Sequence, residues 1–313
     1  MNKLYKKTKD IIKKHDLLFV IFYNLRAYSL YFFNLISNYN IERKRFYKRL
    51  NYTLNLENPK SFNEKIIWKK INDRNPLLPV VADKYQVRSY IKRILGEEEA
   101  NEILIPLLFI TDKPQKIPFE TLPVPFIIKP NHASGLNIIV KNDDFNKTEI
   151  INTCLKWLRL PYCLERLEWA YQHIRRKIII EKLLLEKNKI PKDIKFHMFH
   201  GKCCLIHVEF DRFGDRSKTL LTPEWKILDV AHNMKKGPFL EPPENLSKMI
   251  SISEKLAKSF DYIRVDFYSI NEKIYIGELT NYQSSGTGKF EPQSFDFELG
   301  KYWRIQSGYW KIN

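Results

Sequence analysis

Arg264-Val265-Asp266-Phe267-Tyr268, followed by Ile274-Tyr275-Ile276-Gly277-Glu278-Leu279-Thr280, is the stretch from which the fold is read. Tyr, Ile, Phe and Val dominate both halves, and Ser269-Ile270-Asn271-Glu272-Lys273 between them supplies turn residues. The pattern predicts a β-hairpin. In such a hairpin, Asp266 near the start of one strand and Glu278 near the end of the next face each other. Two opposed carboxylates repel unless a cation lies between them, and Mg²⁺ is the natural candidate. It takes oxygen ligands, uses one or two carboxylates, and leaves other positions to water and phosphates. Arg264, two residues before Asp266, points to the same face of a pleated strand. A permanently protonated fork at that place suits a phosphate or a developing oxyanion.

Working outward, the chain of 313 residues is 44% hydrophobic and 14% aromatic, enough to bury one large core or two smaller ones and unlike a disordered or fibrous sequence. Cys154, Cys163, Cys203 and Cys204 are too few and too irregular for a disulfide framework or a CxxC zinc site, and read as thiols of a reducing compartment. The formal charge is +17, and residues 1–50 hold twelve Lys or Arg against three Asp or Glu. Such a balance calls for an anionic partner: nucleic acid, a membrane surface or a phosphorylated substrate.

Within that basic segment, Leu17 to Ile41 is aromatic-rich, with Arg26 its only charge. It reads as helical. Arg26 and four asparagines make it a poor membrane-spanning helix, and the aromatic run continues past any small-residue cleavage site. Aromatic helices flanked by lysine and arginine suit the headgroup layer of an anionic membrane, so residues 1–57 are expected to be a helical extension placed at the inner face of the cytoplasmic membrane. The competing expectation is a helical hairpin packed on the rest of the chain, with solvated basic ends.

Ser61 with Glu64 has capping-box spacing for a helix whose apolar residues are flanked by Lys69 and Lys70. Asp83 caps a second helix. Phe126-Ile127-Ile128-Lys129 reads as a buried strand that ends in a lysine, then the small polar loop Asn131-His132-Ala133-Ser134-Gly135, then a returning strand Asn137 to Lys141. Backbone N–H groups of that loop, with Lys129 as a point charge, are suited to cradle phosphate. Residues 146–175 are expected to be helical. Lys195 to Phe199 and Leu205 to Phe210 form a second hairpin pattern about His200-Gly201-Lys202, and Lys195 is a second candidate phosphate contact. His197, His200, His207 and Cys203 lack the tight spacing of a zinc site. Residues 217–246 read as loop, and Leu246 to Phe260 as an amphipathic helix. Helices alternating with strand pairs imply an α+β architecture.

These residues carry a resemblance. Arg264-x-Asp266, the strand ending in Glu278 and the loop Ser284-Ser285-Gly286-Thr287-Gly288 resemble the C-terminal half of an ATP-grasp site, as in D-alanine:D-alanine ligase. From about Asn58 to Pro292 the chain more closely resembles the TupA-like proteins of teichuronopeptide and capsular polysaccharide biosynthesis. The resemblance is carried by Pro59-Lys60-Ser61-Phe62-Asn63-Glu64-Lys65, Ala82-Asp83-Lys84-Tyr85-Gln86-Val87-Arg88, Phe126 to Gly135, Ile179-Ile180-Glu181-Lys182-Leu183-Leu184 and Pro191 to Phe196.

The resemblance implies an ATP-grasp fold of two α+β subdomains, and domains at 58–120 and 121–300, the latter divided at 180/181, before a tail at 301–313. It implies ATP and Mg²⁺ as cofactors. Glu181, Lys182, Leu183 and Leu184 would carry adenine recognition, and Glu186 or Asp193 would reach the ribose. Lys129, Ser134, Gly135 and Lys195 would hold phosphates, with Lys129, Lys195 and Arg264 as catalytic donors. Asp266 and Glu278 would ligate metal, completed by Thr280 or Asn281; many ATP-grasp enzymes carry Asn where Thr280 stands. Arg212, Arg264, Ser284, Ser285, Gly286 and Thr287 would face the acceptor. The implied activity is a cytoplasmic ATP-dependent ligase joining an amine, an amino acid or amino sugar, to the carboxylate of a uronic acid on a polysaccharide, nucleotide-sugar or lipid-linked precursor. The alternative is a glycosyltransferase-like capsule enzyme that uses a nucleotide sugar. Nucleic acid is not an expected partner, because no recognisable binding motif organises the basic residues.

Overall fold

The computed structural model describes residues 16–211 and 215–311. In chain order it opens with α1 (Asp16–Ile36) and α2 (Asn40–Leu50), followed by four helices, α3 (Phe62–Asn72), α4 (Leu77–Ala82), α5 (Gln86–Leu95) and α6 (Glu97–Ile103). Strands β1 (Leu107–Thr111), β2 (Phe126–Pro130) and β3 (Ile138–Val140) precede α7 (Lys147–Arg159) and the short α8 (Trp169–Gln172). Then come β4 (Ile178–Lys182), β5 (Asp193–Phe199), β6 (Lys202–Phe210), β7 (Ser217–Leu221), β8 (Ile227–Leu228) and β9 (Ala231–His232). The last elements are α9 (Leu246–Ala257), β10 (Tyr262–Ile270), β11 (Lys273–Thr280), β12 (Phe290–Glu291) and α10 (Ser294–Lys301).

These elements form two compact units, one of residues 1–44 and 107–183, the other of 45–106 and 184–313. Beside the expected divisions at 57, 120 and 180, the unit boundaries fall at 44/45, 106/107 and 183/184.

The first unit holds a four-stranded antiparallel sheet in the order β1-β4-β2-β3. Strand alternation sends Phe126 and Ile128 of β2 and Ile178 and Ile180 of β4 into a core with Val140, Ile150, Cys154 and Trp157. The opposite face receives Lys129 and Glu181. The helix expected over 146–175 is interrupted: α7 stops at Arg159, ahead of Pro161, which has no N–H to continue a helix. Cys163 and Leu167 beyond it adopt left-handed backbone.

In the second unit the capping box forms: Ser61 Oγ accepts from the Glu64 N–H, while Glu64 accepts from the N–H groups of Lys60, Ser61 and Asn55. The cationic flank, Lys69 and Lys70, is buried. Lys69 is fully buried, its ammonium 2.5 Å from both Asp73 and Asp261, because two carboxylates outweigh the cost of desolvating one amine.

The unit's main sheet has six antiparallel strands in the order β11-β10-β5-β6-β7-β8. Both hairpins expected from the sequence are present. They close through residue pairs of positive φ, Asn271-Glu272 and His200-Gly201, the turn geometry that matches strand twist. Residues 217–246, expected as loop, contain β7, every residue of it buried. Its start, Ser217-Lys218-Thr219, looks like loop because it is polar. Lys218 nevertheless finds Glu209, and Thr219 Oγ1 donates to the Pro238 carbonyl at 2.8 Å.

Candidate active site

Register decides which side chains of the six-stranded sheet share a face. Glu278 lies opposite Asp266, Asp266 opposite Lys195, and Lys195 opposite His207. Two residues along each strand, Thr280, Arg264, His197 and Leu205 form the neighbouring row. Asp193, Glu209 and Lys218 make a third. The other face carries Ile263, Val265, Phe267, Ile194, Phe196, Met198, Ile206 and Val208, all buried. A sheet with one apolar face and one charged face results, and the charged face is also buried except at Glu278, Thr280 and Glu209, which are partly exposed.

The hairpin's register contains a bulge: Asp266 faces Glu278, whereas Phe267 faces Ile276, so Gly277 is the extra residue. A Cβ there would stand 3.0 Å from the Tyr268 ring, which accounts for glycine. The bulge thereby sets Glu278 and Thr280 on the same face as Asp266 and Arg264.

Arg264 is the hub. Its Nε and Nη2 donate to the two oxygens of Asp266, each at 2.6 Å, and Nη2 also reaches Glu278 Oε1 and Thr280 Oγ1 at 3.0 Å. Nη1 donates to Gln283 Oε1. Lys195 donates to Asp266 Oδ2 at 2.8 Å, with Asp193 at 3.6 Å. Burial would raise the Asp266 pKa, but Arg264 and Lys195 override it and hold the carboxyl below its ordinary value. For Lys195, burial lowers the pKa and Asp266 more than restores it. Arg264 is raised, its desolvation offset by Asp266 and Glu278.

Two residues beside this cluster escaped the sequence reading. Glu209 lies 3.3 Å from Lys218 Nζ and 3.5 Å from Arg216. Burial pushes its pKa up, yet Lys195, Lys218, Arg264 and Arg216 together bring it down to about 2. Lys218, itself buried, drops to about 8, because desolvation and the nearby Arg264 and Lys195 outweigh Glu209. The signal that marks them is strand alternation across β6 and β7, legible only once β7 is recognised as a strand.

The histidines belong to the same layer. His197 Nε2 is 2.8 Å from His207 Nδ1, and His197 Nδ1 is 3.0 Å from the Tyr262 hydroxyl. Burial first, and then the neighbouring cations, hold His197, His207 and His232 well below the ordinary imidazole pKa, so all three are neutral at physiological pH. His197 and His207 lie within those rows, and His232 Nδ1 is 3.3 Å from Lys218 Nζ.

The loop after β11 is fixed from α3. Asn63 donates to the Gly288 carbonyl at 2.7 Å and accepts from the Gly288 N–H at 2.9 Å, while Lys70 donates to the Ser285 carbonyl at 2.9 Å. Ser284, Ser285 and Gly286 are all in the left-handed region, and a Cβ on Gly286 would sit 2.7 Å from Ile67. Ser284 Oγ accepts from Asn233, Ser285 Oγ accepts from Lys70, and Thr287 Oγ1 donates to the Ser284 carbonyl. Asn281 is not brought to the carboxylates. Its amide donates to the Leu78 carbonyl, since the bulge precedes Glu278 and leaves Asn281 on the face opposite Thr280. Arg212 lies outside the described residues.

In the first unit, Lys129 Nζ is 2.9 Å from Glu181 Oε2 across the β2–β4 pair. Ser134 and Gly135 are the exposed tip of a loop whose base, Asn131 to Ala133, is buried, and Asn131 pins that base by accepting from the Lys177 N–H at 2.7 Å and donating to the Arg175 carbonyl at 3.0 Å. Gly135 has positive φ and open space around it. Lys182 is exposed, Leu183 is buried with its N–H on the Pro125 carbonyl, and Leu184 begins the second unit.

A family model described as TupA-like ATPgrasp matches residues 64–304. The chain belongs to the TupA-like ATP-grasp family. By that membership its mixed helix-and-sheet architecture is an ATP-grasp fold. Among solved structures it is similar to D-alanine–D-alanine ligase from Bacillus anthracis in complex with ATP, at 18% identity and a TM-score of 0.41 over 65% of this chain and 55% of that one. It is similar also to the Helicobacter pylori D-alanine–D-alanine ligase (14%, TM-score 0.40, 71% and 56%). A third is the N5-carboxyaminoimidazole ribonucleotide synthetase of Thermus thermophilus (9%, TM-score 0.39, 67% and 48%). The chain spans about half the length of these proteins. No curated protein matches it.

Among the described residues, no three His, Cys, Asp or Glu side chains form a metal cluster. Asp266, Glu278 and Thr280 nonetheless offer only oxygen donors, and two carboxylates are as many as magnesium needs when phosphates supply the rest. Arg264 bridges the two acids, so a bound ion would share them with the guanidinium. The donor set fits the ion.

Proposed function

We propose that this protein is a carboxylate–amine ligase that activates a uronic-acid carboxylate with ATP and joins it to the amine of an amino acid or amino sugar. The observation that supports this is the buried row Lys195–Asp266–Arg264–Glu278 in a chain of the TupA-like ATP-grasp family. The γ-phosphoryl group passes to a carboxylate oxygen, releasing ADP; the amine then attacks the acyl carbon of the acyl phosphate, and inorganic phosphate leaves as the amide forms. Such a sequence asks a protein for positioning and charge stabilisation more than for a nucleophile. Lys195 and Arg264 supply fixed positive charge, already oriented by Asp266, so no reorganisation is needed when charge develops. Asp266 and Glu278, with Thr280, would hold Mg²⁺, which when bound neutralises phosphate charge. Lys129, oriented by Glu181, and the Ser134-Gly135 tip would hold phosphate in their own unit. The uronic-acid acceptor rests on the TupA-like branch, and the cytoplasm is the compartment in which ATP is available.

Calorimetric titration of ATP with and without Mg²⁺ tests the reading, on the wild type, on Glu278→Gln and on Asp266→Asn/Glu278→Gln. Saturable, Mg²⁺-dependent binding that weakens in the variants is the expected result. A folded wild type that does not bind ATP would overturn the proposal. Glu278, partly exposed, is the variant whose fold is least at risk.

A further inference from the structure

Helix α1 has two apolar faces. One is used: Val20, Ala27 and Asn34, seven residues apart, are buried in the first unit, and the helix is tied down there by Arg26 to Glu165 at 2.7 Å and by Asn24 to the Arg159 carbonyl. The other is not. Leu18, Ile21, Leu25, Tyr28, Phe32 and Ile36 recur at three- and four-residue spacing on the opposite side, with Leu25 65%, Phe32 63% and Ile36 64% exposed. Phe33 and Leu35 widen the stripe. An outward apolar strip along the whole of a 21-residue helix, roughly 30 Å at 1.5 Å per residue, is far more than scattered surface leucines.

Two occupants fit a stripe of this spacing, a second copy of the helix or a lipid surface, and charge decides between them. Lysines 3, 6, 7, 9, 13 and 14 precede the stripe in sequence, and Arg43 and Lys44 follow it, so both ends of the segment are basic. Pairing two copies, parallel or antiparallel, sets like charge beside like charge at both ends. Positions beside the seam, such as Phe22, Asn24, Ser29 and Tyr31, carry no acid to compensate. An anionic bilayer compensates all of it, and tyrosine and phenylalanine suit its interfacial layer. No helix among the described residues is long and apolar enough to cross a membrane, and Arg26 stands at the middle of this one, so the helix would lie in the plane of the surface.

We propose that the outward face of α1 docks the protein on an anionic lipid bilayer, through its apolar stripe and its flanking basic residues. The inference is independent of the ligase reading and is tested without ATP. Full-length protein is co-sedimented with vesicles of phosphatidylglycerol and phosphatidylcholine in equal parts, and with phosphatidylcholine alone. Wild type is compared with Leu25→Glu/Phe32→Glu, whose side chains are exposed and leave the packed face intact; Leu25→Ser/Phe32→Ser serves if the first does not fold. The expected result is partitioning that falls at least about tenfold in the variant and on neutral vesicles, and that weakens at about 0.5 M salt as the attraction of exposed charges is screened. No binding by folded wild type, or equal binding by the variant, overturns it. A wild-type dimer in sedimentation equilibrium that the variant abolishes, without vesicle binding, also overturns it and assigns the stripe to a second copy.

Discussion

Replacing Asp266 by Asn keeps the shape of the side chain and removes the charge on which two buried cations depend. Arg264 donates twice to Asp266 and Lys195 once, all within 2.8 Å, and none of the three is more than 8% exposed. Breaking a buried ion pair by neutralising one partner costs about 3–5 kcal/mol, because the remaining charge is left uncompensated. Both cations here retain a second acid, Glu278 for Arg264 and Asp193 for Lys195, so the lower half of that range is expected. In thermal terms this is a fall of very roughly 6–15 °C, taking about 2–4 °C per kcal/mol for a large domain. Urea denaturation at pH 7 reads it directly. The pH dependence fixes the cause. With its folded pKa below the unfolded value, Asp266 contributes stability that is fully present above about pH 4 and is lost as pH falls through the folded pKa. The gap between wild type and Asp266→Asn therefore narrows on acidification. Adding Arg264→Met to Asp266→Asn should cost about 1–3 kcal/mol less than the sum of the single changes, since the pair is coupled. A single-variant cost below about 1 kcal/mol, or additive behaviour in the cycle, would refute the view that these charges sustain one another.

Lys69→Met strands Asp73 and Asp261 in the core and should destabilise by about 3–5 kcal/mol in urea titration; a loss under about 1 kcal/mol would contradict the buried position of the ammonium. Gly300→Ala places a methyl 2.1 Å from the Lys60 carbonyl oxygen, where α10 crosses the start of α3, so a penalty of about 1–3 kcal/mol or more should appear as a lower melting temperature. Wild-type stability there would mean that the two segments do not meet as described. Glu209 should contribute stability above about pH 4 that drains away as pH falls toward its folded value of about 2, and Glu209→Gln should flatten that part of the stability–pH curve. An unchanged acid limb in the variant would assign the slope to other carboxylates.

The hairpin could be read from sequence because its information is local: alternating β-branched and aromatic residues, a turn between them, and two acids at positions that meet. Gly277 shifts the register by one residue at the place where Glu278 and Thr280 turn to the charged face, a detail that residue types alone do not announce. Lys129 and Lys195 were legible as lysines on strands, but their partners were not. Glu181 and Asp266 reach them across neighbouring strands, 52 and 71 residues away in sequence. The burial of Lys69 and Lys218 is hidden from the sequence for the same reason. A lysine reads as surface until the acids that permit its burial are known, and those acids lie on other elements. The stretch Pro59 to Lys65 turned out to be structural: Ser61 and Glu64 cap, Asn63 clamps the loop at Gly288, and Lys65 donates to the Gly300 and Trp303 carbonyls.

That last group bears on how any loss of activity here is to be interpreted. A residue of α3 such as Asn63 touches both the Gly288 backbone and Asp296, and so holds the loop that follows Glu278 without belonging to the charged row. Arg264 and Asp266 are held together by two buried hydrogen bonds of 2.6 Å. Activity lost on changing any of them is what a purely structural role would also give. The roles separate only in measurements that weigh charge against shape. Lys195→Arg keeps positive charge in a site built for a compact ammonium, whereas Lys195→Met keeps the aliphatic length and removes the charge. If Lys195 binds phosphate, the arginine variant should retain more ATP affinity than the methionine variant even where it is the less stable of the two. If Lys195 only neutralises Asp266, affinity and stability should fall together across the pair.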